Sequence, residues 1–547
     1  MTRIKFVLAA LLSAALLNLA PQLHAQITVK VVLAGSSALW QSMALAAYKG
    51  GACVSGGTAP CFHYTAKNFN LIDSRPTAKG GANAVDPGNL WVVWDSNSTS
   101  TNVWAYIRVD SGVGDRCYFG QPRCTVSLPT VPAPANLIAQ NLWGDNSPDT
   151  APPSAIVALL QGGTLAVNAA ATDIRPEDAL FATCRANSAL GGGVDGLAGL
   201  GYGTNASGVC PTFGATLAKL QGSDIQSAYP GSTSTAHILA FNLSGKDPFT
   251  GTAIPAATTT SVGASPVIFI TSRQSSSLAN ATNITDAQAQ LLFSGGNCDA
   301  GVLGGASGPI QVYLREPLSG TMNTTEFTNF RLVGSRLGSD SQEEGVNPGV
   351  PSGNPLNQVC ASGGGSRKRG IGTGEIVNNG LKSITDSIGY IFFSYGNVSA
   401  LTGVAKYLTL NGVDPLQSTY TGGTLPTCTA PCPKAPGTSF PNLRNGTYRS
   451  WSVLRVVTDA AGTNLTNVSA LVTVAQNDVN STVPDFVPYK TTNGSDPGLS
   501  KEKYRSHYTQ SGLLGNNGLG GQTESGGDVG GCIETVTPPP GILNCRQ

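Results

Sequence analysis

The apolar run from Ile27 to Ala34 reads as a strand that stops at Gly35-Ser36-Ser37. Beyond it, Trp40, Met43, Ala44, Ala47 and Tyr48 recur at helical spacing, with Ser36 or Ser37 as a natural N-cap. Leu90 to Trp94 and Val103 to Val109 read as strands, the second closing in a tight turn, Asp110-Ser111-Gly112-Val113-Gly114. Thr164 to Ala170 is a short strand that leads into Ala171-Thr172-Asp173, and Pro176 with Glu177 and Asp178 has the chemistry of a helix first turn. Pro266 to Thr271 is a strand of the buried type, and Thr285 to Phe293 a helix with Asp286 near its start. Val312-Tyr313-Leu314 is apolar and β-rich and delivers Arg315; Ser319-Gly320-Thr321 then opens a helix with Phe327 and Phe330 on one face. A helix over Gly374 to Ile384 and strands over Ser387 to Ser394 and Trp451 to Thr458 complete the pattern. Alternating strands and helices predict an open α/β sheet, in which ligands sit at strand carboxyl ends. The polar turns at Gly35, Asp110, Ala171 and Arg315 all fall there. Past about Thr491 the chain is polar and glycine-rich, and loops fastened by Cys532 and Cys545 are expected; no internal repeat is evident.

Arg3 and Lys5 before the apolar run Phe6 to Ala20, with Leu23-His24-Ala25 preceding Gln26, predict a signal peptide over residues 1–25. That apolar run is short for a membrane span, and no second long one follows, so the mature chain is expected to lack a span and to be periplasmic or secreted. No cysteine near the cleavage site supports a lipid anchor. All 12 cysteines lie in the mature chain, as disulfides in an exported protein require. Cys53 with Cys61, Cys117 with Cys124, Cys428 with Cys432 and Cys532 with Cys545 are close enough for local bridges, although spacing does not settle connectivity. With 4 histidines and no second pair to match Cys428 and Cys432, no metal site is expected. A chain of 547 residues suggests about two to four domains. Its 12% charged residues and net charge of +1 argue against nucleic-acid binding. The basic cluster Arg367-Lys368-Arg369 reads as a solvated loop.

Arg315 stands four residues before a helix start. Free N–H groups, the helix dipole and a guanidinium fork together suit a small tetrahedral anion. Taken singly, Arg315 reads as a surface salt-bridge partner of Glu316 or another acid, Asp173 as a helix cap and Ser111 as a turn residue. In order, Gly35-Ser36-Ser37, Asp110 to Gly114, Ala171-Thr172-Asp173 and Arg315 to Thr321, followed by the strand Ser387-Ile388-Gly389-Tyr390-Ile391, resemble the type II periplasmic solute-binding proteins, above all the phosphate-binding proteins of phosphate ABC transporters. The likeness spans most of Gln26 to about Val483. The chain departs from the family in its length, its cysteines and a first loop without the usual aromatic and proline residues.

This resemblance implies an α/β protein of two lobes with the ligand cleft between them and long loop insertions. Lobe 1 would take residues 26–264 and lobe 2 residues 265–450. Residues 451–547 would return to lobe 1 and end in the cysteine-pinned tail. The implied ligand residues are Ser36, Ser37, Ser111, Asp173, Arg315, Ser319, Gly320 and Thr321, with phosphate or a similar oxyanion as ligand and an ABC permease as partner. A monomer without cofactor is expected. Asp173 has a chemical use in such a site: monohydrogen phosphate brings a proton to it, whereas sulfate would leave it facing an anion unpaired. No Gly-x-Ser-x-Gly or His-Glu-x-x-His motif is present, His507 reads as structural and Glu343-Glu344 as loop, so the chain is not expected to be an enzyme. The rival expectation is a secreted adhesive or scaffold protein on the same fold, favoured if Arg315 and Asp173 lie apart.

Overall fold

The computed structural model describes residues 26–50, 60–75, 84–96, 100–176, 179, 241–273, 277–315, 318–330, 342, 358–370, 372–420, 425, 431–489, 503–505 and 528–532. A sheet of 15 strands organises them. Its first half contains β1 (Gln26–Gly35), β2 (Cys61–Asp73), β3 (Ala84–Asp95), β4 (Ser100–Arg108), β5 (Thr125–Ser127), β6 (Leu165–Ala166) and β7 (Ala169–Thr172), in the order β7-β1-β4-β3-β2-β5-β6. β4 and β7 both run parallel to β1. The long strand β8 (Ala257–Ser272) comes next. β9 (Asn283–Ile284) lies apart from the large sheet, which continues with β10 (Gln311–Arg315), β11 (Gln358–Val359), β12 (Ser366–Gly370), β13 (Ser387–Phe392) and β14 (Ala405–Tyr407). β15 (Thr409–Leu410) pairs with β9, while β16 (Trp451–Asp459) and β17 (Val487–Pro488) return to β8. β12 and β13 are parallel to β10.

β8 belongs to both halves. Ala257 to Pro266 pairs with β16, and Val267 to Thr271 pairs with β13. The registers then fix where strands end. β7 runs toward the Trp451 end of β16, with Thr172 opposite Arg455. β13 runs toward the middle of β8, with Phe392 opposite Val267. Because β1 and β4 follow β7, and β10 and β12 follow β13, the carboxyl ends from both halves converge on the level of Pro266 and Trp451.

Helix α1 (Trp40–Gly50) packs beside α5 (Thr463–Asp478) over one face. α2 (Ser111–Phe119) covers the other, its Val113, Cys117 and Phe119 clustering with Ala34, Ile107 and Ala170. In the second half, α3 (Asp286–Phe293) starts from a complete capping box between Thr285 and Gln288. α4 (Gly320–Thr325) continues into a π-helical turn, Glu326–Phe330. Phe330 is fully buried against Phe293, Phe269 and Tyr390. Burying one such side chain contributes roughly 1.5–3 kcal/mol, and it anchors the segment that follows Arg315. Among the described residues, no helix is long and apolar enough to cross a membrane.

Several expectations need correction. The Asp110–Gly114 segment is not a tight turn: a helix begins at Ser111. Its glycines serve close approach instead, since a Cβ at Gly112 would lie 2.9 Å from the Leu318 carbonyl and one at Gly114 2.5 Å from that of Ala34. Neither Ser36 nor Ser37 caps α1, which starts at Trp40; Ser36 Oγ accepts from the Ala38 N–H inside the preceding turn. The strand expected over Thr164 to Ala170 is broken into β6 and β7. The Gly374 to Ile384 region is a short helix, Gly372–Glu375, continued by a π-helical stretch, Ile376–Leu381. Arg367-Lys368-Arg369 is part of β12 rather than a loop, and Arg367 is buried, donating to the carbonyls of Phe293 and Gln342. The tail is not wholly loop: β18 (Lys503–Arg505) pairs with β19 (Asp528–Cys532).

Cys117 bridges Cys124 as expected, whereas Cys298 bridges Cys360 across 62 residues, which no local spacing suggested. Cys61 and Cys432 are also disulfide-bonded. Residues 1–25, Cys53, Cys428, Cys545, Glu316, Glu343, Glu344 and His507 lie outside the described residues.

Candidate anion site

The convergence of strand ends brings together polar groups that are far apart in sequence. β1 ends at Gly35, whose φ of +132° suits glycine. The chain then turns sharply, tied by the Ser36 N–H to the Ala171 carbonyl at 2.8 Å and by the Tyr106 hydroxyl to the Ser36 carbonyl. This turn presents the Ser36 side chain to Asp173, with which it hydrogen-bonds. After β4, Ser111 opens α2; its hydroxyl donates to Asp173 Oδ1 and accepts from the Asp173 N–H at 3.2 Å. Asp110 has the extended backbone of an N-cap, yet its carboxylate caps nothing. Instead it accepts from Arg315 Nη2 at 2.9 Å.

Arg315 stands at the end of β10 and is 3% exposed. Its Nη1 donates to Thr321 Oγ1 at 3.2 Å and to Thr373 Oγ1 at 3.1 Å. Ser319 caps α4 by accepting from the Met322 N–H at 3.4 Å. Gly320 passes so close to the first half of the sheet that a Cβ there would meet Ser111 Oγ at 2.7 Å and Asp173 Cγ at 2.8 Å. Thr321 Oγ1 lies 3.5 Å from Asp173 Oδ2 as a donor. A backbone bond from the Gly112 N–H to the Leu318 carbonyl, 3.1 Å, ties the starts of α2 and α4 together.

Ser36, Ser111, Asp173, Arg315, Gly320 and Thr321 therefore form one buried cluster. Ser37 stands at its edge, 3.1 Å from Thr373 Oγ1. Ser319 acts through its cap. Arg315 is buried and paired with Asp110, so the surface salt-bridge reading of it does not hold. Arg315 and Asp173 are close enough for the guanidinium to act on the carboxyl's ionisation, which removes the condition that favoured the adhesive reading.

Burial pushes the Asp173 carboxyl above the ordinary carboxylate range; hydrogen bonds from Ser111 and Ser36 and the charge of Arg315 oppose the rise. Burial likewise lifts Tyr106 well above its usual value and lowers Arg108, whose guanidinium lies over the Trp40 ring, to about 10. Such a site favours having a proton between Asp173 and whatever faces it. Helix-start donors, hydroxyls and a fixed guanidinium complete an arrangement suited to a hydrogen-bearing oxyanion.

Asp110, Thr373 and Asn397 are the residues that sequence reasoning missed here. Asp110 was visible only as part of a turn. Thr373 follows β12 in Gly372-Thr373-Gly374, and a polar residue between glycines after a strand was the available signal. Asn397, after β13, donates to Ser37 Oγ at 3.4 Å.

A second polar array lies elsewhere. His63 Nδ1 is 2.8 Å from Asp149 and its Nε2 is 3.3 Å from Ser147 Oγ, with the ring stacked on Trp143. This has the outline of a nucleophile–base–acid triad. However, the Ser147 hydroxyl donates to Asp145 at 2.7 Å, and the Ser147 N–H is also held by Asp145. Pro148 has no N–H to offer. With the serine's hydroxyl and N–H both held by Asp145, the array acts as a staple of its loop.

No protein-family model matches the chain, and no curated protein matches it. Solved structures do resemble it. An ABC-type phosphate transport receptor from Vibrio cholerae shares 14% identity at a TM-score of 0.25, over 40% of this chain and 66% of the receptor. A protein from Clostridium perfringens, solved with bound phosphate, shares 17% at a TM-score of 0.26, over 39% of this chain and 65% of its own. The chain thus spans just under two thirds of each. A high affinity periplasmic phosphate-binding protein, PfluDING, bound with phosphate, shares 12% at a TM-score of 0.32, over 83% of this chain and 90% of its own. Likeness this remote carries over neither ligand nor role.

Proposed function

We propose that the chain is an exported solute-binding protein that captures a small oxyanion, phosphate foremost, for uptake by an ABC-type permease. The ligand would lie between lobe 1, residues 26–264 with the return after 450, and lobe 2, residues 265–450. Ser36, Ser37, Ser111 and Asp173 would hold it from one side and Arg315, Ser319, Gly320 and Thr321 from the other. The crossing strands β8 and β16 would carry the hinge, and closure about the ligand would expel water from it.

One observation carries this reading: the buried Asp173 carboxyl faces hydroxyls, a helix start and a guanidinium contributed by both halves of the sheet. An oxyanion that carries its own proton uses all of them: bare oxygens take the donors and the P–OH takes Asp173.

The test is Arg315→Ala combined with Asp110→Asn, so that no carboxylate is left buried without its cation. The double variant is expected to stay folded by circular dichroism and to lose phosphate binding in calorimetry. Wild-type affinity in that variant would refute the assignment.

A further inference from the structure

Among the described residues, Thr373 and Ser37 hold a proton that nothing accepts. Thr373 Oγ1 accepts from Arg315 Nη1 at 3.1 Å, and Ser37 Oγ accepts from Asn397 Nδ2 at 3.4 Å. The two hydroxyls face each other at 3.1 Å, and either can be the donor. Two hydroxyls carry two protons, and their mutual bond uses one. Whichever way that bond runs, the other proton points away from the pair. Where Ser37 is the donor, the spare proton is that of Thr373, which is only 5% exposed, so leaving that bond unmade is costly. It lies one hydrogen bond from the guanidinium that the anion reading already places on the ligand.

We propose that Thr373 is a further ligand-binding residue: with Ser37 it forms a hydroxyl pair that donates one hydrogen bond to a bare oxygen of the bound oxyanion. This rests on the anion-binding reading and extends it to a fifth turn, the one after β12, which brings the second half of the sheet to the ligand twice. The chain has a reason to place it there. β12 runs parallel to β10 with Arg315 opposite Gly370, so Gly372-Thr373-Gly374 emerges beside the arginine. Ser37, on the turn after β1, meets it from the other half. The hydroxyl pair therefore joins the two halves at the ligand and makes closure part of recognition.

The experiment uses the full mature protein, stripped of ligand, with inorganic phosphate as probe. Thr373→Val keeps the shape and removes the hydroxyl; Thr373→Ser keeps the hydroxyl. Calorimetry is expected to show a roughly tenfold weaker Kd for the valine variant, the equivalent of about 1.4 kcal/mol, and a value within about twofold of wild type for the serine variant. The 31P resonance of bound phosphate should move in the valine variant and not in the serine one, because a residue that merely steadied Arg315 would weaken binding without removing a donor from the ligand. A valine variant that binds like wild type, or one whose bound 31P resonance is unchanged, overturns the proposal. Wild-type protein that binds no phosphate overturns the anion reading itself, and the role of Thr373 with it. Should the valine variant fail to fold, Thr373→Ala removes the same hydroxyl with a smaller side chain, and wild-type affinity there overturns the proposal equally.

Discussion

Asp173→Asn isolates the chemistry that separates phosphate from sulfate. The substitution keeps size and shape, and the remaining side-chain oxygen can still accept from Ser111, as Oδ1 does now. The other atom becomes an NH2 on the side that faces Thr321, where Oδ2 stands 3.5 Å away. In the wild type, sulfate would set a bare oxygen against a buried acceptor, at a cost of about 1–3 kcal/mol and more where charge is involved. The amide removes that cost and offers a donor instead. Phosphate meanwhile loses the acceptor for its P–OH, a charge-assisted bond of roughly 1.5–3 kcal/mol. Adding the lower ends of the two ranges gives a collapse of the phosphate-to-sulfate preference by at least ~2.5 kcal/mol, about sixtyfold. Calorimetric Kd values for both anions at pH 8, for wild type and variant, measure it. A preference unchanged within about threefold would refute the proton-acceptor argument. The variant should also be well folded. A carboxyl whose pKa is raised on folding weakens the native state as pH climbs from the unfolded value of about 3.9, and asparagine carries no such penalty.

Gly320→Ala should eliminate anion binding and lower unfolding free energy by about 1–3 kcal/mol in urea titrations, since its Cβ would press on Ser111 and Asp173 at under 3 Å; unaltered affinity would mean that α4 does not approach the ligand. Asp485, buried and accepting from the Tyr395 N–H at 2.7 Å, is raised by burial to about 7. Its ionisation therefore costs native stability increasingly from about pH 4 up to about 7. Asp485→Asn should leave Tm near that of wild type at pH 4 and raise it above pH 7; a Tm gain that does not grow with pH would contradict this.

The parts of the fold legible in the sequence are those where burial on both faces writes a continuous apolar run. Val31 to Ala34, Ile268 to Ile270 and Val312 to Leu314 are such strands, and each stands where it was expected. α5 was not legible. Thr463 to Asp478 is rich in threonine, valine and asparagine, residues that mildly disfavour helix, and packing decides the matter. Val468, Leu471, Val472 and Ala475 are buried at helical spacing, and α5 comes so close to α1 that a Cβ at Gly50 would press on Val474. Gly112 and Gly114 misled for a related reason: a glycine that opens a turn and one that admits a neighbouring backbone look alike in one dimension. In the candidate site, Ser36, Ser111, Asp173, Arg315 and Thr321 were legible because each ends a strand or stands in the turn after one. Asp110 and Thr373 were not, because what sets them apart is Arg315, which reaches them across the fold.

The central claim is best tested by titrating ligand-stripped mature protein with phosphate and then with sulfate in a calorimeter. Tight, saturable phosphate binding with one site per chain and no response to sulfate is expected. Equal binding of both anions, or of neither, would contradict it.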